Sequence, residues 1–330
     1  MSAKEKFSVG LDIGTHSIKL VKLRLAKDSR ELFSFALEPI GSNLSEQLKR
    51  LKSEQGIESA NISVSGTATL LRYVNFPKMN EAEMRQALKY EAQKYIPFST
   101  SETNLDGSIL KTDLPDNKML TLIAAVKKEL IKERLKTLED ALVRVNIIDI
   151  DSLALINAFN FNYELEDNLK IKAVALVNIG ASMTNLNIIE EGIPRLSRDI
   201  QISGNNFTQK LADILGLDFK SAETLKLNPE KEKAVNIAAA VEAALANLAG
   251  EIRTSFDYYE SQSASTVAKI LLSGGSSLFN GLKDILANLM GIEVIYWNPF
   301  NKINLSLEVD SSKVKGLSSQ LSVAAGLALR

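Results

Sequence analysis

Apolar and polar residues near the start of the chain follow a pattern that predicts β-structure. The runs 7–13, 18–25 and 31–38 are rich in β-branched and aromatic residues and are joined by short polar turns, which predicts three consecutive strands. A short amphipathic helix is predicted for 45–56 and a buried strand for 61–66. The chain therefore opens as a strand-rich lobe with a helix against it.

Residues 73–145 are predicted to form an extra subdomain with the order β–helix–β–β–helix. Asn80 and Glu83 have the spacing of a capping box at the start of a helix over 80–98. The other elements of this subdomain are strands at 103–110 and 118–126 and a helix at 127–143, whose apolar face would comprise Ile131, Leu135, Leu138 and Leu142.

The second half of the chain repeats the alternation of strands and helices. Three strands are predicted within 169–200, and the long Ala-rich helix 234–260 has an apolar stripe typical of core packing. The other predicted elements are helices at 206–215 and 221–226, a strand, double-glycine turn and helix within 267–286, a strand at 292–299 and a closing helix at 321–329. We expect two lobes, residues 1–170 and 171–330.

One short pattern occurs once in each half. "LDIGTHSIKLVKL" (11–23) and "LVNIGASMTNLNII" (176–189) both run from a strand through an Asp- or Asn-Ile-Gly turn and small or hydroxyl residues into another strand. This comparison aligns Asp12 with Asn178, and each copy opens a three-stranded run. Two related lobes facing each other would bring both turns to one cleft.

Composition narrows the classes of function. With 39 basic and 40 acidic residues, the chain lacks the basic excess typical of nucleic-acid-binding proteins. It has no cysteine, which excludes disulfides and thiolate metal sites. It also has no signal-peptide pattern and no run of about 20 apolar residues that could span a bilayer. These features favour a cytoplasmic globular protein.

The turns contain the residue types of a phosphate site. A glycine at the apex of a turn exposes N–H donors without side-chain bulk, and such a concavity binds anions. The donors of the first turn would come from Gly14, Thr15, His16 and Ser17, and those of a facing clamp from Gly180, Ala181, Ser182 and Thr184. Lys19 would neutralise a phosphate, and Asp12 would bind Mg²⁺ through water. His16, the only histidine, would lie beside the ligand rather than act as a catalyst.

A third glycine element follows a predicted buried strand. Gly274 and Gly275 in "LLSGGSSLFNGL" would let a base or sugar–phosphate approach the backbone, and the dipole of a helix directly after them would favour anions. The alternative is a strand–helix connector that needs glycine only for its turn. The chain has no Walker motif and no G-x-G-x-x-G opening a helix, so P-loop and Rossmann folds lack support.

Two phosphate hairpins, an "SGG" loop and the closing helix "LSVAAGLAL", in this order, resemble the actin-like ATPase superfamily. The resemblance implies an α/β fold, with two lobes of mixed sheet and helices around a nucleotide cleft that binds ATP and Mg²⁺. It also implies that Gly204, Glu223 and Lys226 flank the ribose and adenine, and Asn205 and Ser276 would belong to the same nucleotide site. Asp151 falls near the position that orients the attacking water, although an acidic residue before a helix is often only an N-cap.

Within this superfamily the chain resembles the PilM family, FtsA-like proteins of type IV pilus assembly. The resemblance rests on the M-x-x-x-E…A-x-x-Y-I-P-F pattern in 73–110 and on 179–217, and it extends over nearly the whole chain. The family usually begins its second phosphate hairpin with Asp, whereas this chain has Asn178. Since an amide has no charge and cannot accept a proton, we expect MgATP to bind and hydrolysis to be very slow.

The PilM resemblance implies a partner, the cytoplasmic N-terminal segment of the inner-membrane protein PilN. We expect this segment to dock between the extra subdomain and the first lobe, with contact to the membrane only through partner proteins and with self-association left open. Apolar surface for it could come from Tyr95, Ile96, Pro97 and Phe98, which could equally be packed internally. Nucleotide binding would close the lobes and so change the affinity for the partner.

Other functions on the same fold remain as alternatives. A type II secretion platform protein is one, although such proteins usually continue into a membrane span. A small-molecule kinase would need a catalytic acid or base beside a polar substrate pocket, and Asp151 is the strongest candidate. The cell-division protein FtsA is disfavoured, because we expect no amphipathic tail after the closing helix, which ends at "AAGLALR".

Overall fold

A computed structural model describes residues 5–27, 29–163, 173–228 and 234–330. The predicted boundary between the lobes, at 170/171, lies outside the described residues. Within them, no helix has both the length and the apolar character needed to span a membrane.

The first sheet has six strands, and several of them end at the same edge. Its strands are β1 (Lys6–Ile13), β2 (Ser17–Leu25), β3 (Arg30–Pro39), β4 (Ser59–Val64), β8 (Arg144–Ile150) and β14 (Asn304–Leu305). The order is β14-β3-β2-β1-β4-β8. β1, β2 and β3 form an antiparallel meander, whereas β1, β4 and β8 run parallel. The carboxyl ends of β1, β4 and β8 therefore lie side by side.

The second sheet repeats this plan with five strands in the order β11-β10-β9-β12-β13. Its strands are β9 (Ala173–Ile179), β10 (Thr184–Glu190), β11 (Ile193–Ile200), β12 (Val267–Ser273) and β13 (Glu293–Tyr296). Again an antiparallel meander is followed by two parallel strands beside its first strand. Asp12 pairs with Lys19 across the first hairpin, and Asn178 pairs with Asn185 across the second. The internal repeat predicted from the sequence is confirmed at the level of strand register.

A third sheet has three strands, β5 (Thr69–Pro77), β6 (Thr103–Leu114) and β7 (Lys118–Lys127), in the order β5-β7-β6. Helix α2 (Glu81–Glu91) packs Met84 and Leu88 against it. The capping box predicted for this helix is present, because Asn80 and Glu83 exchange side-chain and backbone hydrogen bonds. The predicted helix 80–98 is shorter than expected, since a 3₁₀ turn occupies 92–94.

The remaining helices cover the two larger sheets. They are α1 (Leu44–Gln55), α3 (Lys128–Asp140), α4 (Asp151–Asn162), α5 (Gly204–Leu215), α6 (Phe219–Leu227), α7 (Ala234–Gln262), α8 (Leu282–Met290), α9 (Ser311–Leu317) and α10 (Ser322–Ala328). α1 and α3 pack on one face of the six-stranded sheet, and α10 packs on the other face. A Cβ at Gly326 of α10 would lie 1.8 Å from the Ala154 carbonyl oxygen, so the small residues of this helix allow close approach to α4.

Helix α3 departs from the predicted pattern. Leu138 is buried in the core beneath the six-stranded sheet, as expected for its face, but Leu135 is 38% and Leu142 69% exposed. The helix ends at Asp140, and Leu142 has a left-handed backbone with φ of 57°. The helical period that placed Leu142 on the buried face therefore stops before it reaches that residue.

Candidate functional site

A cleft of about 610 Å³ lies where the first and second sheets face each other. Both glycine turns line it, together with the start of α4, helix α6 and the 3₁₀ turn Gly275–Leu278. The predicted site residues that line it are Asp12, Gly14, Thr15, His16, Ser17, Lys19, Asp151, Asn178, Gly180, Ala181, Ser182, Asn205, Glu223, Lys226, Gly275 and Ser276. Residues far apart in sequence thus meet at one place.

The tips of the two turns are in contact. The Thr15 hydroxyl donates a hydrogen bond to Ser182 Oγ at 3.0 Å. Each turn is closed by one backbone bond, from Gly14 N to the Ser17 carbonyl and from Gly180 N to the Met183 carbonyl. The N–H groups of the residues at the tips have no acceptor among the described residues; these are Thr15, His16, Ala181 and Ser182. They are available to an anion in the cleft.

Asp12 and Lys19 form an ion pair beside the first turn. Asp12 ends β1 and Lys19 lies directly opposite on β2, with 3.0 Å between Nζ and Oδ2. The antiparallel register places both side chains on one face of the sheet. A ligand that carries phosphate and a divalent cation could exchange partners with this pair, the phosphate with the lysine and the cation with the carboxylate.

Asp151 is the first residue of α4, and the residue at its N-cap position is Ile150, so the N-cap interpretation of Asp151 is wrong. Burial raises the pKa of Asp151 to about 6, with a further contribution from the negative charge of Asp12. Hydroxyls of Ser63 and Ser65 oppose the shift. A carboxylate with this pKa can accept a proton at neutral pH.

Asn178 belongs to a directed chain of hydrogen bonds. Ser273 Oγ donates to Asn178 Oδ1 at 3.2 Å, and Asn178 Nδ2 donates to Asn185 Oδ1 at 3.1 Å. Asn185 Nδ2 then donates to Asp199 Oδ1 at 2.8 Å, while Asp199 Oδ2 accepts from Gly66 N at 3.3 Å. An ionised carboxylate only accepts, so Asp199 fixes the orientation of Asn185 and requires a donor at position 178.

Lys226 lies in a buried polar cluster on the second-lobe side of the cleft. Its Nζ is 2.7 Å from Glu223 Oε2, 2.7 Å from Thr208 Oγ1 and 3.2 Å from the Gly204 carbonyl oxygen. The Thr208 hydroxyl also donates to Glu223. Because all three partners hold the ammonium in place, the cluster offers a rigid polar wall rather than a mobile charge.

Three predicted site residues lie behind the wall of the cleft. Thr184 is fully buried, and its hydroxyl donates to the Ile202 carbonyl, so it positions the second hairpin rather than clamping a phosphate. A Cβ at Gly204 would lie 2.0 Å from Ser276 Oγ. Gly274 has φ of 93°, and a Cβ there would lie 2.3 Å from the Ile179 carbonyl oxygen. These two glycines allow neighbouring loops to pack closely.

The helix predicted directly after Gly275 is absent at that point. A 3₁₀ turn covers Gly275–Leu278, and α8 begins only at Leu282. The prediction that a helix dipole reaches this loop is therefore wrong, because the glycines turn the chain before a regular helix can start.

Other residues of the cleft were not predicted from the sequence. They include Ser65, Arg134, Asn185 and Gln320, each from a different element. Ser65 follows a buried strand, as Asp151 does, and this position at the carboxyl end of a parallel strand was the available signal. Arg134 lies inside an amphipathic helix and gave no signal.

A second groove, of about 600 Å³, lies between the extra subdomain and the first lobe. We call it the edge groove: its walls are residues 106–110 of β6, 147–149 of β8 and the outer side of α4. Leu122 and Ala124 of β7, residues 192–194 of the second lobe and Arg330 complete the lining. β6 and β8 are both outermost strands of their sheets. The groove is therefore lined by two edge strands, and part of its wall is the face of the three-stranded sheet around β7.

The segment Tyr95–Phe98 does not line the edge groove. Ile96 is buried, and the Tyr95 ring packs 6.0 Å from that of Phe76. Pro97 and Phe98 line a separate cavity of about 340 Å³. The internal-packing alternative is therefore correct for Ile96.

A nucleoside triphosphate fits the cleft in size and donor chemistry. The volume of the cleft lies within the roughly 300–1,000 Å³ of small-molecule pockets. Free N–H groups from both lobes face this cleft. Among the described residues, no group of three or more acidic or histidine side chains could hold a metal ion by itself. A Mg²⁺ ion at Asp12 would need water and phosphate oxygens as its other ligands.

Comparisons with known proteins give the same architecture. A family model described as type IV pilus assembly protein PilM matches residues 10–330. A solved structure described as the PilM–PilN type IV pilus biogenesis complex has a TM-score of 0.85 and 25% identity, covering 98% of this chain and 98% of that chain.

More distant structures share the fold alone. The ethanolamine utilization protein EutJ from Carboxydothermus hydrogenoformans has a TM-score of 0.57 and 14% identity, covering 98% of this chain and 89% of that chain. The diol dehydratase-reactivating factor in its nucleotide-free form has a TM-score of 0.57 and 10% identity, covering 98% and 99%. The predicted actin-like ATPase fold is confirmed.

The raised pKa of Asp151 predicts how one substitution changes stability with pH. Since the folded pKa, about 6, exceeds the ordinary value of 3.8, the folded protein holds this proton more tightly than the unfolded chain does. The free energy of unfolding therefore falls as the pH rises from about 4 to 6. Above pH 6 the loss of stability caused by the buried, ionised carboxylate is constant. Asp151→Asn should remove this cost and stabilise the protein at pH 8 by on the order of 1–3 kcal/mol.

Urea unfolding of wild type and Asp151→Asn at several pH values measures this effect. The stability difference should be smallest near pH 4 and should grow to a plateau above pH 6. A difference that is constant over this range would show that the aspartate is not perturbed by its site.

Proposed function

Because the chain belongs to the PilM family of type IV pilus assembly proteins, we propose that it is an ATP-binding assembly protein that captures the N-terminal segment of a PilN protein. It would act on the cytoplasmic side of the inner membrane and reach the membrane through its partners. The proposal has three parts: nucleotide binding, slow hydrolysis and peptide capture.

The observation that carries nucleotide binding is the 3.0 Å contact between Thr15 and Ser182. It brings two turns with free N–H groups from opposite lobes to one point of the cleft. Asp12 and Lys19 supply a carboxylate for Mg²⁺ and a cation for phosphate beside this point. The wall containing Glu223, Lys226 and Ser276 lies on the second-lobe side and would accept the nucleoside.

Calorimetric titration of MgATP into the full chain tests nucleotide binding. Lys19→Met should weaken the affinity about 10- to 100-fold, because a charge-assisted contact to phosphate contributes roughly 1.5–3 kcal/mol. Lys49→Met is the matched control, since it removes a lysine of α1 that pairs with Glu46 outside the cleft. Wild type that binds no nucleotide, or Lys19→Met that binds as tightly as the control, would contradict the proposal.

Slow hydrolysis follows from the amide at position 178. Asn178 cannot accept a proton, and both of its polar atoms are held by Ser273 and Asn185. ATP turnover should therefore lie well below the roughly 1 s⁻¹ at the slow end of ordinary enzymes. Asn178→Asp should raise it, but alone this change places two acceptors in contact, because Asn185 points its oxygen at position 178.

A double variant, Asn178→Asp with Asp199→Asn, avoids that clash. Asn185 can then turn its amide to donate to the carboxylate introduced at position 178, and the amide introduced at position 199 can donate to Asn185 in turn. Every group in the chain of hydrogen bonds is again satisfied. Single-turnover assays should show faster hydrolysis in the double variant than in wild type. Brisk wild-type turnover that neither variant changes would contradict this account.

The edge groove is the proposed docking site of the PilN segment. An extended peptide can add a strand to an exposed sheet edge, and here two outermost strands, β6 and β8, line one groove. Apolar side chains along it, including Ile109, Ile147 and Ile156, offer pockets for alternate residues of such a peptide. Asp106 and Asp149 at the wall are already paired with Arg85 and Arg330, so the apolar side chains and the strand edges, rather than charge, would supply the contacts to the peptide.

Contacts of the second lobe with the extra subdomain and with the loop between β4 and β5 support coupling of the two sites. Tyr73 of β5 and Ser197 of β11 share a hydrogen bond of 2.7 Å, and Gly66 N donates to Asp199. Asp199 also accepts the last hydrogen bond of the series that runs from Asn178, in the second hairpin, through Asn185. A change in lobe closure on nucleotide binding would therefore move the extra subdomain, and with it one wall of the edge groove.

Fluorescence polarisation with a labelled PilN N-terminal peptide tests both ideas. Ile147→Arg should weaken binding about tenfold or more, because it puts a charge in the middle of the groove. Leu142→Arg, at an exposed position outside the groove, is the control and should bind as wild type does. The affinity should differ at least about fivefold with and without MgATP; an equal affinity would exclude the coupling, and an unaffected Ile147→Arg would exclude the groove.

A further inference from the structure

Arg134 reaches the cleft from a helix that no sequence motif connects with it. Leu138, one turn later on α3, is buried against the six-stranded sheet, so Arg134 lies on the same side of the helix. A turn of only three residues connects α3 to β8, so the helix lies antiparallel to that strand. The N-terminal part of α3 is therefore near the carboxyl end of β8. Helical side chains lean toward the N-terminus, and Arg134 accordingly lines the cleft at this edge.

The charges in the cleft leave Arg134 without a counterion. Six charged residues line the cleft: Asp12, Lys19, Arg134, Asp151, Glu223 and Lys226. Asp12 pairs with Lys19 and Glu223 with Lys226. Arg134 makes no ion pair or hydrogen bond within the part of the chain that the structure describes. A half-buried guanidinium with no anion beside it has a position suited to a charged ligand.

Asp151 is not the missing partner of Arg134. Gly10 of β1 packs against α10, so Asp12, two residues later, faces that same side, where Asp151 opens α4. Arg134 comes from α3 on the opposite face of the sheet. No basic side chain is among the groups that perturb the pKa of Asp151. The cation and the carboxylate thus flank the first turn from different sides.

We propose that Arg134 binds the terminal phosphate of the nucleotide. This inference rests on the proposed nucleotide site and adds to it a contact from α3. The polar wall for the nucleoside belongs to the second lobe, whereas Arg134 lines the first-lobe side of the cleft together with the first turn, so a nucleotide spanning the cleft would put its phosphates, and not its base, on the side of Arg134. Arginine suits this role because its planar fork can hold two phosphate oxygens.

The contact would also connect nucleotide state with the edge groove. α3 is followed, after a turn of three residues, by β8, which forms one wall of that groove. A terminal phosphate held by Arg134 would fix α3 and β8 relative to the first turn, and a diphosphate would leave them without this contact.

Titrations of ATP and ADP into full-length wild type, Arg134→Met, Arg134→Lys and Lys136→Met test the proposal. Lys136 is an exposed lysine of the same helix, so its variant controls for the loss of one positive charge. Arg134→Met should weaken ATP binding about 10- to 100-fold and ADP binding less than about threefold. Arg134→Lys should fall between wild type and Arg134→Met, because it keeps the charge and loses the fork.

The outcomes separate this inference from the proposed function. If wild type binds no nucleotide, the proposed function fails, and this inference fails with it. If wild type binds ATP and Arg134→Met matches Lys136→Met, the arginine contact is excluded while nucleotide binding stands. Equal losses for ATP and ADP would exclude the terminal phosphate as its target. Thermal unfolding of each variant checks that it is folded, and Arg134→Lys carries the test if Arg134→Met is not.

Discussion

The contact between two glycine turns, one from each sheet, is the constraint that organises this molecule. Thr15 and Ser182 can be 3.0 Å apart only because each turn ends a hairpin whose first strand runs toward the common cleft. Small residues at the tips leave their N–H groups uncovered, and these groups are the donors that the proposed triphosphate would use. Asp12, Asp151 and Asn178 all reach the cleft because they lie at the carboxyl ends of strands that point to it.

The hydrogen-bond chain from Ser273 to Gly66 gives a physical reason for the amide at position 178. The Asp199 carboxylate accepts hydrogen bonds from Gly66 N and from Asn185 Nδ2. Asn185 therefore points its oxygen at residue 178, which must supply a donor. This series of hydrogen bonds crosses from the second lobe to the loop after β4 in the first lobe. The hydrogen bonds that favour an amide over a carboxylate at position 178 thus also connect the two lobes.

Much of this architecture could be predicted from the sequence, because its signals are local. The paired turns, the capping box at Asn80 and the repeat that aligns Asp12 with Asn178 each occupy a few consecutive residues. Long-range packing was harder to predict. Helix α4 is apolar almost all round because it lies between α10 and a sheet, so it shows little amphipathic period. In the sequence Arg134 looks like any surface arginine, and only the packing of α3 beside β8 brings it to the cleft. Thr184 has the residue type of a phosphate-binding position, but its hydroxyl donates to the Ile202 carbonyl instead.

Amide hydrogen exchange, followed during a titration with MgATP, measures the central claim most directly. If both turns hold one triphosphate, the free amides of Thr15, His16, Ala181 and Ser182 should become protected together and with the same half-saturating concentration. Protection of only one turn, or of the two at different concentrations, would show that the lobes do not share one ligand.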